Sequence, residues 1–508
     1  MRIAALSDFL LQRIDRTPGK PVNRQLYQVI REAILAHVMP AGLQLPSSRD
    51  LARELQMSRN TVTYAYEQLV AEGYLETRVG AGTFVTDTVP DQIPEAPAGE
   101  TRANRTSSLG LSLRGAQLVE RAGAYRLQWG AFMPGVPDLS LFPNRAWSRL
   151  QNKYWRRARP DLLTYGHGGG YLPLREAIAE YLRVARSVDC TADQVLITTG
   201  IHQSIDLAAK LLAEAGDRVW VEDPCYWGTR SVLHSLNLQP VPVAVDAEGI
   251  DLRNGDWNNP PRFIFVTPSH QYPLGPVMSL SRRRTLLEYA AVHNAWIMED
   301  DYDSEFRYNS RPLAALQGMD THDRVLYLGS FSKTLFPGLR VGFLVVPPAL
   351  ASPFATGLSE LYRGGQLYTQ AVLADFIAQG HFASHIRRMR VLYEERLRLL
   401  QHAIREHFGD TLPTTGGDAG LHLTLGLPDD CDDTAISRHA QSEGIIARPL
   451  SRYYMVAERA RRGLLLGYAC VPNDAIAPTF AKLANIIRQY LRAGARLEAG
   501  QRVEAILE

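Results

Sequence analysis

Six short apolar runs constrain this chain more than any other feature. VLIT (195–198), VWVE (219–222), FIFV (263–266), WIME (296–299), VLYL (325–328) and VGFLVV (341–346) are separated by stretches of helical character. Most of the runs lack polar alternation, the pattern of strands covered by helices on both faces. Strands and helices in turn predict a doubly wound α/β sheet. The residues that follow each run are the candidates for chemistry, because ligands of such sheets bind outside the strands' carboxyl ends.

Those residues have a common theme. VLITTGIHQSIDLAAKLL gives a strand, a turn at Gly200 and a helix. The N–H groups of Ile201 and His202 would face a phosphate there, although the same sequence also suits a plain turn. VWVEDPCYWG places Tyr226 just beyond a strand, either as a ring-stacking group or as a partly buried aromatic. WIMEDDYDSEFRY sets Asp300 at a strand end and Tyr302 two residues on, projecting to the same side. VLYLGSFSKTLFPGLRVGFLVV sets Lys333 in a Ser-rich loop between two apolar runs, with Ser330, Ser332 and Arg340 as phosphate-ligand types. A lone lysine is usually a solvated charge, but this one lies between two buried strands. A lysine for an imine, an acid for a ring nitrogen, a stacking ring and a phosphate cradle are what pyridoxal 5'-phosphate requires.

The chain has 508 residues, enough for two or three cores. Residues 15–87 read as a separate first unit. Leu26, Ile30, Ala33, Ile34 and His37 mark one helical face. Ser47 or Ser48 caps a second helix with Leu51, Ala52 and Leu55 inward, and Ser58 caps a third. Val62, Ala65, Tyr66 and Leu69 form the third helix's buried stripe. GYLETRV and TFVT flank a Gly-rich turn as two short strands. Three helices and a hairpin make the winged helix-turn-helix plan.

Arg59, Asn60, Thr61 and Thr63 point away from the stripe at the start of the third helix, as a major-groove reading helix requires. Arg can pair with guanine and Asn with adenine. Arg49 opens the preceding helix within reach of phosphate or base. A small interaction domain with a solvated polar face would share this pattern. Charge does not choose between them: the chain is +2 overall, and residues 22–86 carry six arginines against six acids.

Residues 88–122, rich in Pro, Ala, Gly and Thr and without period, read as a linker. Residues 123–508 form the α/β region. From about residue 357 it changes to long charged helices and strands such as LHLTL and LLLGYA, a smaller α+β subdomain. The four cysteines, at 190, 225, 431 and 470, have no metal or redox spacing, so reduced thiols and no metal site are expected. The opening MRIAALSDFLLQRIDR carries acids inside its apolar stretch and makes a poor signal peptide. No apolar run approaches the ~18 residues of a membrane span. A cytoplasmic protein without a membrane partner is expected.

Residues 21–85 resemble the GntR-type winged helix along their whole length, through LPSSRDLA, SRNTV, LVAEGYLE and GAGTFV. The resemblance implies that Arg49, Arg59, Asn60 and Thr61 contact double-stranded DNA, with the wing tip Gly80–Gly82 near the minor groove. Many members have Arg where this chain has Thr63, so one contact is weakened. From Trp129 to Ile487 the chain resembles fold type I pyridoxal-phosphate enzymes, the aminotransferases, through MPGVPDLSLFP, YGHGGGYLPLREAIAEYL, TPSHQYPLG and SFSKTLFPGLRVGF. This implies that Lys333 holds the cofactor as a Schiff base and that Tyr165 reaches the phosphate of the partner subunit.

Two positions depart from that pattern. Tyr272 stands where aminotransferases carry the Asn that bonds the phenolate oxygen. Leu465 stands where they carry the Arg that grips the α-carboxylate, with Arg459, Arg461 and Arg462 upstream as substitutes. Both weaken the case for transamination. The two halves together resemble the MocR/GabR regulators, whose large domains form head-to-tail homodimers. The resemblance implies a regulator that senses a small amine or amino acid, or pyridoxal phosphate itself, by aldimine exchange at Lys333. The alternatives are an aminotransferase with an accessory N-terminal domain, and a DNA-binding protein whose large domain is only a dimerisation scaffold.

Overall fold

The computed structural model describes residues 3–15, 21–78, 80–87, 110–120, 128–157, 159–166, 168–255, 259–308 and 313–507. They fall into two compact units, one within residues 1–109 and one within 110–508.

In the first unit, helices Val22–Leu35, Ser48–Glu54 and Arg59–Ala71 pack with a small antiparallel sheet. Its strands are β1 (Gln44–Leu45), β2 (Leu75–Arg78) and β3 (Gly82–Val85), in the order β1-β3-β2. Ser47 caps the second of these helices by accepting from Asp50 N–H, and Ser58 caps the next by accepting from Thr61 N–H, both at 3.2 Å. Such caps contribute about 1 kcal/mol each. Leu26, Ile30, Ile34, Leu51, Val62, Ala65 and Leu69 fill the core.

Two expectations change in this unit. His37 is not on the first helical face: the helix ends at Leu35, and His37 is exposed in a left-handed turn at φ +54°. The unit also begins before residue 15. Helix Ile3–Leu11 and the turn after it send Leu6, Leu10 and Ile14 into the same core. A helix of nine residues has little autonomous stability, so its sequence signal is weak until its partner surface is known.

In the second unit, helix Leu113–Glu120 lies in the span read as a structureless linker, and it buries none of its residues. An eight-stranded sheet follows: β4 (Val195–Thr198), β5 (Arg218–Asp223), β6 (Gln239–Asp246), β7 (Gly249–Ile250), β8 (Phe263–Val266), β9 (Trp296–Asp301), β10 (Val325–Ser330) and β11 (Gly342–Val345). The order is β4-β11-β10-β9-β8-β5-β6-β7. β5, β6, β8, β9 and β10 pair in parallel, β11 runs antiparallel between β10 and β4, and β7 is antiparallel at the edge.

Alternate residues of one strand enter different cores, as the pleat requires. Leu196, Met298, Leu326 and Leu344 meet helices Ile201–Leu212 and Ala351–Tyr362. Ile264, Ile297 and Val325 meet helix Leu280–His293 on the other face. Both faces are covered, which is why the six runs read as continuous.

A second, antiparallel sheet consists of β12 (Thr414–Thr415), β13 (His422–Gly426), β14 (Arg448–Pro449) and β15 (Gly463–Gly467), ordered β12-β13-β15-β14. Helices His381–Phe408, Asp433–Ser442 and Asn473–Leu507 accompany it. A segment far upstream joins this part of the fold. Ile446 N–H donates to the Ala131 carbonyl at 2.8 Å, and Gly467 N–H to the Phe132 carbonyl at 2.9 Å. The residues after Phe132 are thereby brought against the large sheet's strand ends.

Candidate functional site

A cavity of about 330 Å³ opens where the carboxyl ends of the parallel strands meet the smaller sheet. Lys333 lies in its wall, three residues after β10. Its Nζ donates to the Gly135 carbonyl at 2.8 Å. Gly135 has φ +70°, where an L side chain is strained, and a Cβ there would come within 2.7 Å of that Nζ and push the amine aside. Burial lowers the Lys333 pKa from its ordinary value, and Asp303 and Asp300 oppose the shift. A lysine amine kept more readily neutral is a better nucleophile.

Asp300, near the end of β9, faces the same cavity. Burial comes first, then the charges of Asp301 and Asp303, in raising its carboxyl well above the usual range; Lys333 opposes them. A pyridine nitrogen bearing a proton is the kind of cationic donor such a carboxylate needs. Behind it, the Tyr302 hydroxyl lies 3.0 Å from His270 Nδ1, which lies 3.1 Å from an Asp303 carboxylate oxygen. With its proton on Nδ1, His270 donates to Asp303 and the Tyr302 hydroxyl can donate toward the cavity. Burial and the neighbouring carboxylates keep that phenol protonated.

The phosphate end is built from backbone and hydroxyl groups. Gly200, at φ +127°, opens helix Ile201–Leu212, and Ile201 and His202 line the cavity at its first turn. Ser330 Oγ donates to Ser332 Oγ at 2.9 Å. The Arg340 guanidinium lies 3.8 Å from where a Cβ on Gly200 would sit, and the residue is exposed. Burial, then the Arg340 charge, lowers the His202 pKa, and its Nε2 lies 3.2 Å from the Tyr226 hydroxyl. Tyr226 meets Tyr272 edge-on at 6.0 Å between ring centroids. The Tyr272 hydroxyl lies 3.3 Å from that of Tyr453. These groups fit pyridoxal 5'-phosphate end to end.

The structure thus brings Ile201, His202, Tyr226, Asp300, Tyr302, Ser330, Ser332, Lys333 and Arg340 to one cavity. Tyr165 stands apart from its wall. It is 75% exposed, with the Arg363 guanidinium 5.1 Å from its ring centroid. The proposed substitutes for the missing arginine are not in the wall either. Arg459 and Arg461 are exposed, and Arg462 pairs with Asp433 at 3.6 Å. Besides Arg340, the arginine that lines the cavity is Arg448, on β14, directly across from Leu465 of β15. Sequence reasoning missed it, together with Gly135, His422 and Tyr453. Only the register of β14 on β15 places Arg448 beside Leu465, and two-residue strands carry no periodic signal.

One buried ion pair fixes β9 from behind. Arg186 Nε lies 2.7 Å from Asp301, both side chains being almost fully buried, and the Tyr327 hydroxyl also donates to Asp301. The pair ties the end of helix Leu172–Arg186 to the residue after Asp300.

In the first unit, Arg49, Arg59 and Asn60 are exposed at the starts of two successive helices. Arg59 Nε donates to Ser48 Oγ at 3.4 Å. Thr61 is half-buried, and its hydroxyl lies 2.8 Å from Ser58 Oγ, so it belongs to the helix cap. Arg53 and Arg78 are paired with Asp50 and Glu76. Gly82, at φ +115°, ends the exposed wing turn.

A winged helix and an aminotransferase-type cavity in one chain define a transcription regulator built on a pyridoxal-phosphate-enzyme fold. Residues 22–85 match the gntR family of bacterial regulatory proteins, and residues 137–465 match aminotransferase class I and II. The chain belongs to the MocR-type transcription regulators. It is 42% identical over 457 residues to the probable rhizopine catabolism regulatory protein MocR of Rhizobium meliloti, covering 90% of this chain and 92% of that one. It is 30% identical to the pyridoxine biosynthesis regulator PdxR of Corynebacterium glutamicum, covering 92% and 97%. Among solved structures it is similar to LysN, an α-aminoadipate aminotransferase of Thermus thermophilus complexed with N-(5'-phosphopyridoxyl)-L-leucine. The TM-score is 0.68 at 26% identity, over 75% of this chain and all of that one. No described helix is long and apolar enough to cross a membrane.

Proposed function

We propose that this regulator is a cytoplasmic homodimer that senses a small amine or amino acid, or pyridoxal phosphate itself, through Lys333. The observation that carries the reading is the half-buried Lys333 amine, set in one cavity with Asp300 and made more readily neutral by its surroundings. When bound, the cofactor supplies an aldehyde for which the lysine and an effector amine compete. Asp300 holds a proton at the ring nitrogen, Tyr226 stacks on the ring and Tyr302 donates to the phenolate oxygen. The N–H groups of Ile201 and His202, with Ser330, Ser332 and Arg340, hold the phosphate. Tyr165, exposed on one subunit, completes the phosphate site of the other.

At the other end of the chain, Arg49, Arg59 and Asn60 read DNA from the major groove, Thr61 positions the reading helix and Gly82 lets the wing approach the minor groove. An effector shifts DNA binding only if it binds two arrangements of the dimer with different affinity. Tyr272 and Leu465, in place of the aminotransferase Asn and Arg, favour sensing over turnover. Footprinting upstream of the protein's own gene, with and without pyridoxal phosphate and candidate amines, tests the reading. Wild type should change its footprint with an amine and Lys333→Ala should not. An unaltered response in Lys333→Ala refutes sensing through the lysine, and multiple turnover with an amino acid and a keto acid would identify an aminotransferase instead.

A further inference from the structure

A phenol and a carboxylate converge on one nitrogen atom behind the cavity. His270 Nδ1 lies 3.0 Å from the Tyr302 hydroxyl and 3.1 and 3.2 Å from the two carboxylate oxygens of Asp303. Asp303 is 1% exposed, and His270 is the hydrogen-bond partner that the described residues give its carboxylate. Tyr302 and Asp303 both line the cavity. The Tyr302 and His270 rings stack at 5.9 Å between centroids, and Tyr272 meets Tyr302 edge-on at 5.6 Å. Residues leading into the smaller sheet close the group. A Cβ on Gly420 would come within 2.4 Å of an Asp303 oxygen and of the His270 ring. The His422 ring lies 5.3 Å from that of His270, and Arg307 and Lys333 feel the Asp303 charge.

The position of the imidazole proton follows from these contacts. An ionised carboxyl only accepts, so the nitrogen that faces it carries the proton. The other nitrogen, Nε2, is buried and has no hydrogen-bond partner among the described residues. It faces Gly275, where a Cβ would lie 3.2 Å from it. A proton on Nε2 would be a buried donor without an acceptor, which is costly. With the proton on Nδ1, the Tyr302 hydroxyl finds no acceptor in His270, and its own proton turns to the cavity. Without the imidazole, the strongest acceptor near that phenol would be the Asp303 carboxylate, because hydrogen bonds to an ionised group are roughly twice as strong as neutral ones.

We infer that His270 is a positioning residue of the sensing site: it keeps the Asp303 carboxylate occupied and so holds the Tyr302 proton toward the cavity and the phenolate oxygen of the bound cofactor. The negative charge on that oxygen is most exposed once the Lys333 nitrogen has lost its proton. A donor to the oxygen favours that loss and lowers the pH at which it occurs. His270 thereby sets the pH range over which an effector amine competes with the lysine. This deepens the amine-sensing reading and rests on it.

The test titrates the full-length, cofactor-loaded protein with pH and follows the cofactor's absorbance, which reports the proton on the Lys333 nitrogen. Tyr302→Phe removes the donor and should raise the midpoint by about 1 to 2 pH units, the size of one charge-assisted hydrogen bond. His270→Phe keeps a ring beside Tyr302 and should raise the midpoint as well, although the tyrosine is intact. His270→Asn, whose amide N–H reaches the place of Nδ1, should stay near wild type. In the Tyr302→Phe background, His270→Phe should add no further rise. Asp303→Asn alone should lower the midpoint, since the Asp303 charge favours the protonated lysine nitrogen. In the His270→Phe background it should lower it by more, because the competing acceptor is gone. An unmoved midpoint in His270→Phe overturns the assignment. So does an equal rise in His270→Phe with and without the Tyr302 hydroxyl, the mark of a merely structural effect. If His270→Phe does not fold, nitrogen-15 labelling of the histidines in wild type decides, the His270 signal being the one that His270→Asn lacks. A proton on Nδ1 with a bare Nε2 supports the assignment, and a protonated Nε2 overturns it. A cofactor spectrum that Lys333→Ala leaves unchanged refutes sensing through the lysine, whereas a lysine-dependent spectrum that His270→Phe does not shift refutes the role of His270 alone.

Discussion

Glu222, in β5, is fully buried beneath the cavity. One carboxyl oxygen accepts from the Thr267 hydroxyl at 2.6 Å and lies 3.3 Å from Gln271 Nε2; the other has no hydrogen-bond partner among the described residues. Burial raises its pKa to about 7, and burial raises those of Glu299 and Glu305 to about 7 as well. A carboxyl whose folded pKa lies above its unfolded one contributes stability that is complete below the unfolded value and is lost as pH rises through the folded value. The cofactor domain should therefore lose stability between about pH 4.5 and 7. Glu222→Gln should make its melting temperature less sensitive to pH across that window, measured by thermal unfolding at pH 5 and pH 8. At the same scale, Arg59→Ala should weaken specific operator binding by ~1–3 kcal/mol, about 5- to 150-fold, in competition mobility-shift assays. An unchanged affinity removes Arg59 from the interface. Arg59 was legible because it stands at the start of a helix whose other face is apolar. Arg448 was not, because nothing within a few residues of it says which strand lies alongside.

At the scale of elements, the carboxyl end of β9 is the most constrained part of the site. Asp300 faces the cavity, while Asp301 faces the opposite side and is bound by Arg186 and Tyr327. Successive side chains of a strand point to opposite faces, so one dipeptide serves both chemistry and anchoring. Removing one partner of a buried pair leaves the other charge uncompensated, at a cost of about 3–5 kcal/mol. Arg186→Ala should lower the urea midpoint of the cofactor domain accordingly, and Asp301→Asn in that background should recover part of the loss. A variant with unchanged stability would show that the pair contributes nothing net. β6 shows why some elements escaped the sequence reading: QPVPVAVD carries two prolines, which argue against a strand interior, yet β6 sits next to the edge and pairs with β5 and β7.

For the whole molecule, two winged helices of a homodimer should engage half-sites about one helical turn, ~34 Å, or a multiple apart. Inserting about 5 bp between the half-sites of a mapped operator turns one away from its reader, and affinity should fall to that of a single half-site. Inserting about 10 bp should restore much of it. Tight binding at both spacings would mean that the two winged helices act independently. Full-length protein with Tyr165→Phe should then need more cofactor for the same occupancy, read by absorbance, if the tyrosine serves the partner's phosphate site.

The sequence by itself determined the two units' fold classes and the part of the cavity wall that stands at the large sheet's strand ends. Strands buried on both faces read as unbroken apolar runs, and a parallel sheet delivers the residues after those runs to one edge. Lys333, Asp300 and Tyr226 could therefore be found by reading along the chain. Tertiary structure alone decided that helix Ile3–Leu11 joins the winged-helix core, that Gly135 accepts a hydrogen bond from Lys333, and that Arg448 stands beside Leu465. Those placements depend on packing and strand register between distant segments, and no local period records which distant surface a short element will meet.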